Sequence, residues 1–180
     1  MLNLHYITFN FVILCFKLLF MVISIPIKPY LKDFLVNLYG QEPIPASKKN
    51  YIGILIEPLL QKPPADYIPL ATKQSDDNIL VDVCWYNKEC GSRKNPLFNF
   101  YLSKDDQISF QKGVSKIFNT EFFSFVDGHL LAFQQLNRSV EIKNTIDLFC
   151  EKNNLSIEHT NYEMLKKSYY RYRKNKNITC

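Results

Sequence analysis

Apolar residues recur along this chain with two different periods, and the change of period divides it into elements. Leu31, Phe34, Leu35 and Leu38 fall on one helical face, with Pro29 in the first turn and Gly40 just past the last apolar position. That spacing predicts a helix from Pro29 to Leu38. Beyond a turn at Pro43 and Pro45, Ser47 is placed to cap a second helix carrying Ile52, Leu55, Ile56, Leu59 and Leu60, which Pro58 should kink or shorten. Gln61 to Asp77 contains Pro63, Pro64, Pro69 and a polar run, and reads as a loop. The period then falls to two: Ile79, Val81, Val83 and Trp85 alternate with Leu80, Asp82, Cys84 and Tyr86, which is a strand pattern. Leu97 to Leu102 is a second aromatic strand beyond a polar connector, Asn87 to Pro96, and an antiparallel pair is the simplest arrangement. Two strands alone are marginal in water, so helices must cover them.

From Ser103 the helical period returns. Ser103 and Asp106 form an N-cap pair ahead of Phe110, Val114, Ile117 and Phe118. Phe122, Phe123, Phe125 and Val126 cluster before Gly128 and are read as core, not as a cofactor pocket. Ser139 is positioned to cap a helix with Ile142, Ile146 and Phe149 on one face, ended by Asn153 and Asn154. Thr160 and Glu163 match a capping box, so a last helix is predicted from Asn161 to about Lys176. The expected fold class is therefore α+β and mainly α: a two-stranded antiparallel hairpin flanked by N-terminal helices and a C-terminal helical bundle. With 180 residues, one domain over 26–176 is the natural division, with 139–176 a bihelical basic unit and 177–180 a tail.

The first 25 residues stand apart. Tyr6 to Ile25 is almost wholly apolar, yet Lys17 interrupts it, no Lys or Arg precedes it and no small-x-small cleavage site follows. Met21 offers an alternative start that leads directly towards the first helix, and it is the favoured initiator. A membrane anchor is the competing reading of residues 1–25.

Composition changes the picture only through where charge lies. The formal net charge is +5, and Lys166, Lys167, Arg171, Arg173, Lys174 and Lys176 contribute six positive charges with no acid after Glu163. The other 16 basic and 17 acidic residues leave a net of −1, so the basic excess belongs to one terminal segment. On the predicted helix, Tyr162, Leu165, Tyr169 and Tyr172 form an apolar stripe suited to docking on the preceding helix. Lys167, Arg171 and Lys174 lie on a neighbouring face, with Lys166, Tyr170 and Arg173 beside them. Clustered Lys and Arg displace condensed counterions from phosphates, and Tyr adds stacking or a hydroxyl donor. The two last helices form a helix-turn-helix-like unit, although the connector is too long for the tight turn of that motif. Phosphate contact is accordingly better supported than base reading. The competing reading is a solvated terminal helix whose charges only keep the chain in solution.

Candidate catalysis is sparse. There is no G-x-G-x-x-G or Walker run, and His5, His129 and His159 form no H-x-x-x-H pair. Asp127 and His129 are close in sequence, but no Ser or Cys can be paired with them, so they read as surface or capping residues. Asp76-Asp77 and Asp105-Asp106 suit turns and caps. Cys15, Cys84, Cys90, Cys150 and Cys180 are odd in number without C-x-x-C, which favours reduced thiols in a cytoplasmic setting. A Cys84 to Cys90 bridge, and glycosylation at Asn137, Asn154 or Asn177, would matter only in an exported chain. No catalytic residue, metal or cofactor is expected.

The layout of Ile25-Pro-Ile-Lys-Pro-Tyr-Leu-Lys, Tyr39-Gly and Leu165-Lys-Lys-Ser-Tyr-Tyr-Arg-Tyr-Arg-Lys resembles small uncharacterised proteins of bacterial phages and mobile elements with a basic, helix-turn-helix-like C-terminal unit. That resemblance implies a part in DNA transactions. The expected function is a non-enzymatic nucleic-acid-binding accessory or regulatory protein, DNA being favoured over RNA, with Lys166, Lys167, Tyr170, Arg171, Arg173 and Lys174 as contact residues. The alternative is a structural or protein-interaction module. In it the aromatic helices from Phe110 to Phe133 form a homo-oligomer interface, and a membrane is a partner only if the apolar segment is real.

Overall fold

The computed structural model describes residues 22–65, 75–83, 100–156 and 162–177. The fold is α+β and mainly helical, and the described residues fall into two compact units. The first takes in 22–26, 42–65, 75–83 and 100–110, the second 27–41, 111–156 and 162–177.

In the first unit, β1 (Val22–Pro26), β2 (Ile44–Pro45) and β3 (Asn78–Asp82) form one sheet in the order β1-β3-β2. The alternation in β3 predicts its inner face correctly: Ile79, Val81 and Val83 are fully buried. Its neighbours are not those the hairpin expectation named. β1 pairs with it antiparallel, Ile23 opposite Val81 and Ile25 opposite Ile79, and β2 pairs with it parallel, Ile44 opposite Val81. The Glu42 carboxylate prolongs that edge by accepting the Leu80 N–H at 2.9 Å. Of the expected second strand, Leu97 to Asn99 lie outside the described residues, and Tyr101 instead bridges Gln61 through two 3.0 Å backbone bonds. The reason is competition: a β-branched segment at Val22–Ile25 offers β3 a dry, pleat-compatible partner. Its place in the longer apolar run hid that signal.

The helix α2 (Tyr51–Ile56) passes into a 3-10 turn, Glu57–Leu59, at Pro58, as the missing N–H of proline requires. Its cap is Asn50, not Ser47. The Asn50 side chain accepts from Gly53 N at 2.8 Å and Ser47 N at 3.2 Å and donates to Pro45 O at 2.6 Å. A Cβ at Gly53 would collide with the Ser47 backbone, so glycine is what lets this helix start so close to its own approach.

In the second unit, α1 (Pro29–Tyr39) ends on Gly40 at φ 69, a left-handed conformation that glycine adopts without a Cβ penalty. It buries Leu31, Phe34 and Leu35, while Leu38 is 50% exposed. The helix α3 (Lys104–Gln135) opens in the first unit with the expected Ser103 and Asp106 pair: Asp106 N donates to Ser103 Oγ at 3.2 Å, and Ser103 N donates to the Asp106 carboxylate at 3.3 Å. It then runs through Gly128 without a break. Phe110, Val114, Phe118, Phe122 and Val126, four residues apart, form a fully buried ridge along it. Phe118 meets Tyr30 and Phe34 of α1 edge-on at 5.2 Å each, and Phe149 at 5.8 Å.

Phe149 belongs to α4 (Ile142–Lys152), which buries Ile146 and Phe149 as its period predicts. Glu141 occupies its N-cap without a capping side-chain bond, so Ser139 does not serve there. After α4, Asn154 sits at φ 49; its side-chain amide donates to Asn37 at 2.8 Å and Ser156 N donates to the Asp33 carboxylate at 3.2 Å, tying the turn to α1. The last helix, α5 (Tyr162–Asn177), packs on α4; Thr160, its expected cap, lies outside the described residues. Among the described residues no helix is long and apolar enough to cross a membrane, and Val22–Pro26, the end of the apolar run, is strand.

Candidate nucleic-acid interface

What α5 presents outward depends on what holds it inward. Leu165 and Tyr169 are buried, Tyr169 to 1% exposure, and Tyr162 and Tyr172 are half-buried, so the predicted stripe is the docked face. It reaches beyond the preceding helix. Tyr169 lies 6.4 Å from both Phe122 and Phe123 of α3, and Tyr172 stacks on Phe123 at 4.3 Å with 12° between the planes.

A carboxylate fixes the register of this contact. Tyr169 Oη donates to Asp127 Oδ1 at 2.8 Å, Tyr172 Oη to Oδ2 at 3.2 Å and Lys176 Nζ to Oδ2 at 3.0 Å. Partial burial alone would raise the Asp127 pKa. The bonds from Tyr169, Lys176 and Tyr172, together with the Lys176 charge, outweigh it and hold the carboxyl below its usual value. Reciprocally, burial first and then the bond to Asp127 push the Tyr169 hydroxyl well up, and the bonds to Asp127 and Tyr172 raise Lys176. Asp127 is thus an anchor and not the surface or capping residue its sequence context suggests. Three donors at i, i+3 and i+7 on α5 facing one acid were visible in the sequence, but the partner 42 residues upstream was not.

The six predicted contact residues separate accordingly. Lys167, Tyr170, Arg171 and Lys174 occur at i, i+3, i+4 and i+7, all exposed, on the side of α5 opposite Leu165 and Tyr169. None of these three cations forms an ion pair with an acid among the described residues. Arg173 is exposed on the flank. Lys166 is half-buried, 3.9 Å from the Glu163 carboxylate and 5.5 Å from the Tyr162 ring centre, so part of its charge is already used. Lys176, counted in the charge cluster, is turned to the opposite side by Asp127.

This face can receive a row of anionic oxygens: a cation every three to four residues along a helix repeats about every 5 Å. Tyr170, 48% exposed, adds a ring and a hydroxyl in the middle of the row. Elsewhere in the unit, His129 Nδ1 lies 3.0 Å from Thr145 Oγ1, and the Cys150 thiol is pushed up to about 11 by burial and by Asp147. Among the described residues no three His, Cys, Asp or Glu side chains converge as metal ligands. Comparison with protein families, with curated proteins and with solved structures gives no match.

Proposed function

We propose that the protein is a non-enzymatic nucleic-acid-binding accessory or regulatory protein that contacts phosphates through the outer face of α5. The observation that carries this reading is the division of one helix. Its inner face is consumed by Asp127 and the phenylalanines of α3, while Lys167, Tyr170, Arg171 and Lys174 stay together, outward and without acidic partners among the described residues. Lys166 and Arg173 flank the row. Cations held on a rigid helix lose less freedom on binding than those of a loose tail, which favours a role over mere solvation. DNA is the favoured polyanion and the setting is cytoplasmic, as a part in phage or mobile-element DNA transactions would require. The connector over residues 153–161 is longer than a tight helix-turn-helix turn, so backbone contact is the expected mode. The alternative interface from Phe110 to Phe133 has less to offer, since Phe110, Phe118 and Phe122 are already buried within the chain.

The test is fluorescence anisotropy of the purified protein with a mixed-sequence duplex between about 50 and 200 mM salt. Affinity should fall steeply with salt. The combined substitution Lys167→Ala, Arg171→Ala and Lys174→Ala should weaken binding and flatten the log-log salt slope by about one unit per phosphate contact removed. Equal affinity and slope in a folded triple variant would remove the proposal.

A further inference from the structure

A second surface of the same unit complements the first. Between the C-terminal part of α3 and the start of α4 lies a groove of about 770 Å³. His129 and Phe133 line it from α3 and Leu148, 41% exposed, from α4, while Glu141, Asp147 and Glu151 supply carboxylates along it. The wall is preformed: Thr145, fully buried, holds the His129 ring through the 3.0 Å contact to Nδ1 and donates to Glu141 O at 3.4 Å. None of the three carboxylates pairs with a Lys or Arg among the described residues. A groove lined by apolar side chains together with acids that form no ion pair among the described residues is suited to an amphipathic, cationic occupant.

We infer that this groove takes the outer face of α5 from a second copy of the chain. Three cations answer three carboxylates, and Tyr170 supplies an aromatic side chain to lie against Phe133 and Leu148. The cationic row is short enough to fit: Lys167 to Lys174 spans about 10 Å of helix, within the about 15 Å from Glu141 to Glu151. The occupant is not the chain's own α5, because Asp127 fixes Tyr169, Tyr172 and Lys176 inward and thereby aims the cationic face away from its own α3 and α4. Each copy offers one groove and one face, so the contact closes reciprocally in a two-fold dimer or runs head to tail. Exposed charge pairs are weak and screened by salt, so the assembly dissociates as salt rises. It also competes with any polyanion for α5.

Light scattering of nuclease-treated protein at rising concentration and about 50 mM salt tests the inference. The mass should climb above the 21.2 kDa of one chain and return to it in high salt. Asp147→Lys with Glu151→Lys should abolish the rise, as should Lys167→Glu with Arg171→Glu. All four positions are exposed, and circular dichroism checks that both variants fold. Mixing the two variants should restore association, since the native α5 of the groove variant meets the native groove of the helix variant and its basic groove meets the acidic helix. A wild-type mass fixed at one chain, association that survives either reversal, or a mixture that stays monomeric overturns the inference. The groove variant leaves α5 intact, so its binding to duplex should match or exceed wild type, and the two proposals fail separately.

Discussion

Replacing Asp127 by Ala tests the central feature of the second unit, the anchoring of α5. Tyr169 is 1% exposed and its hydroxyl donates to Asp127 Oδ1, so the substitution leaves a buried donor without its acceptor. A stranded buried polar group costs about 1–3 kcal/mol. Tyr172 is only half-buried and Lys176 lies at the surface, so both recover water and add little. A loss near 2 kcal/mol lowers Tm by roughly 4–8 °C for a chain of this size. Hydrogen exchange should localise the effect, with faster exchange at the backbone amides of Leu165 to Lys174. The pH dependence carries a definite sign. Because the folded-state pKa of Asp127 lies below the unfolded value of 3.8, its ionised form favours folding. The contribution is complete well above pH 3.8 and disappears as pH falls through the lower folded value, so the gap between wild type and variant should narrow on acidification. Asp127→Asn keeps an acceptor and should recover much of the stability at neutral pH, but not the pH dependence. Tyr169→Phe added to Asp127→Ala removes the stranded donor, so the double variant should be less destabilised than the sum of the singles. Unchanged exchange in α5 together with a Tm within about 1 °C of wild type would show that the anchor does not hold the helix.

Three other outcomes follow from the packing. Phe122→Ala should cost about 3–5 kcal/mol, because Phe122 is fully buried among Phe118, Phe149 and Tyr169, and denaturant unfolding would show it as a lower midpoint. Asn50→Ala should cost about 1–2 kcal/mol by removing the cap of α2, while Ser47→Ala should cost less, since its hydroxyl accepts only from Lys49 N at 3.2 Å on the surface; thermal melts of the two compare them directly. Cys150 should react with iodoacetamide at pH 8 about a hundredfold more slowly than a free thiol, as peptide mass spectrometry can follow, because a pKa of about 11 leaves little thiolate.

The parts of this protein legible in the sequence are those where local pattern and tertiary use coincide. The face of α1, the ridge of α3 and the stripe of α5 are read from the 3.6-residue period because each buries against a single side, and Gly40 and Pro58 act through their own backbones. Strand partners were not legible, since β3 carries the same alternation whichever neighbour it takes, and β1 lies inside an apolar run whose length suggested another use. Caps failed where several polar residues competed: Ser47 and Asn50 both precede α2, and geometry alone selects the amide that also reaches Pro45 O. The role of Asp127 is hidden in the sequence for a further reason. A lone acid inside a helix has no pattern, and its meaning depends on three donors that only the fold brings to it.

That same acid alters how the charge cluster should be weighed. A count of basic residues treats Lys166, Lys167, Arg171, Arg173, Lys174 and Lys176 as equals, whereas the structure ranks them by prior engagement. Lys176 is committed to Asp127 and Lys166 is shared with Glu163 and the Tyr162 ring, while Lys167, Arg171, Lys174 and the flanking Arg173 form no ion pair with an acid among the described residues. A cation displaces the counterions condensed on a phosphate only if it is not already held by an acid, so the salt slope of binding should reflect the outer three together with Arg173 on their flank, and not the full six. Lys176→Ala should then leave duplex binding nearly unchanged and loosen the end of α5 only slightly, whereas Lys174→Ala, two residues away, should weaken duplex binding and leave hydrogen exchange in α5 unchanged. A duplex-binding measurement and a hydrogen-exchange measurement on that pair separate the two roles. Equal effects of both substitutions in both measurements would mean that the terminal helix acts as an undivided cloud of charge and that its orientation by Asp127 has no bearing on what it binds.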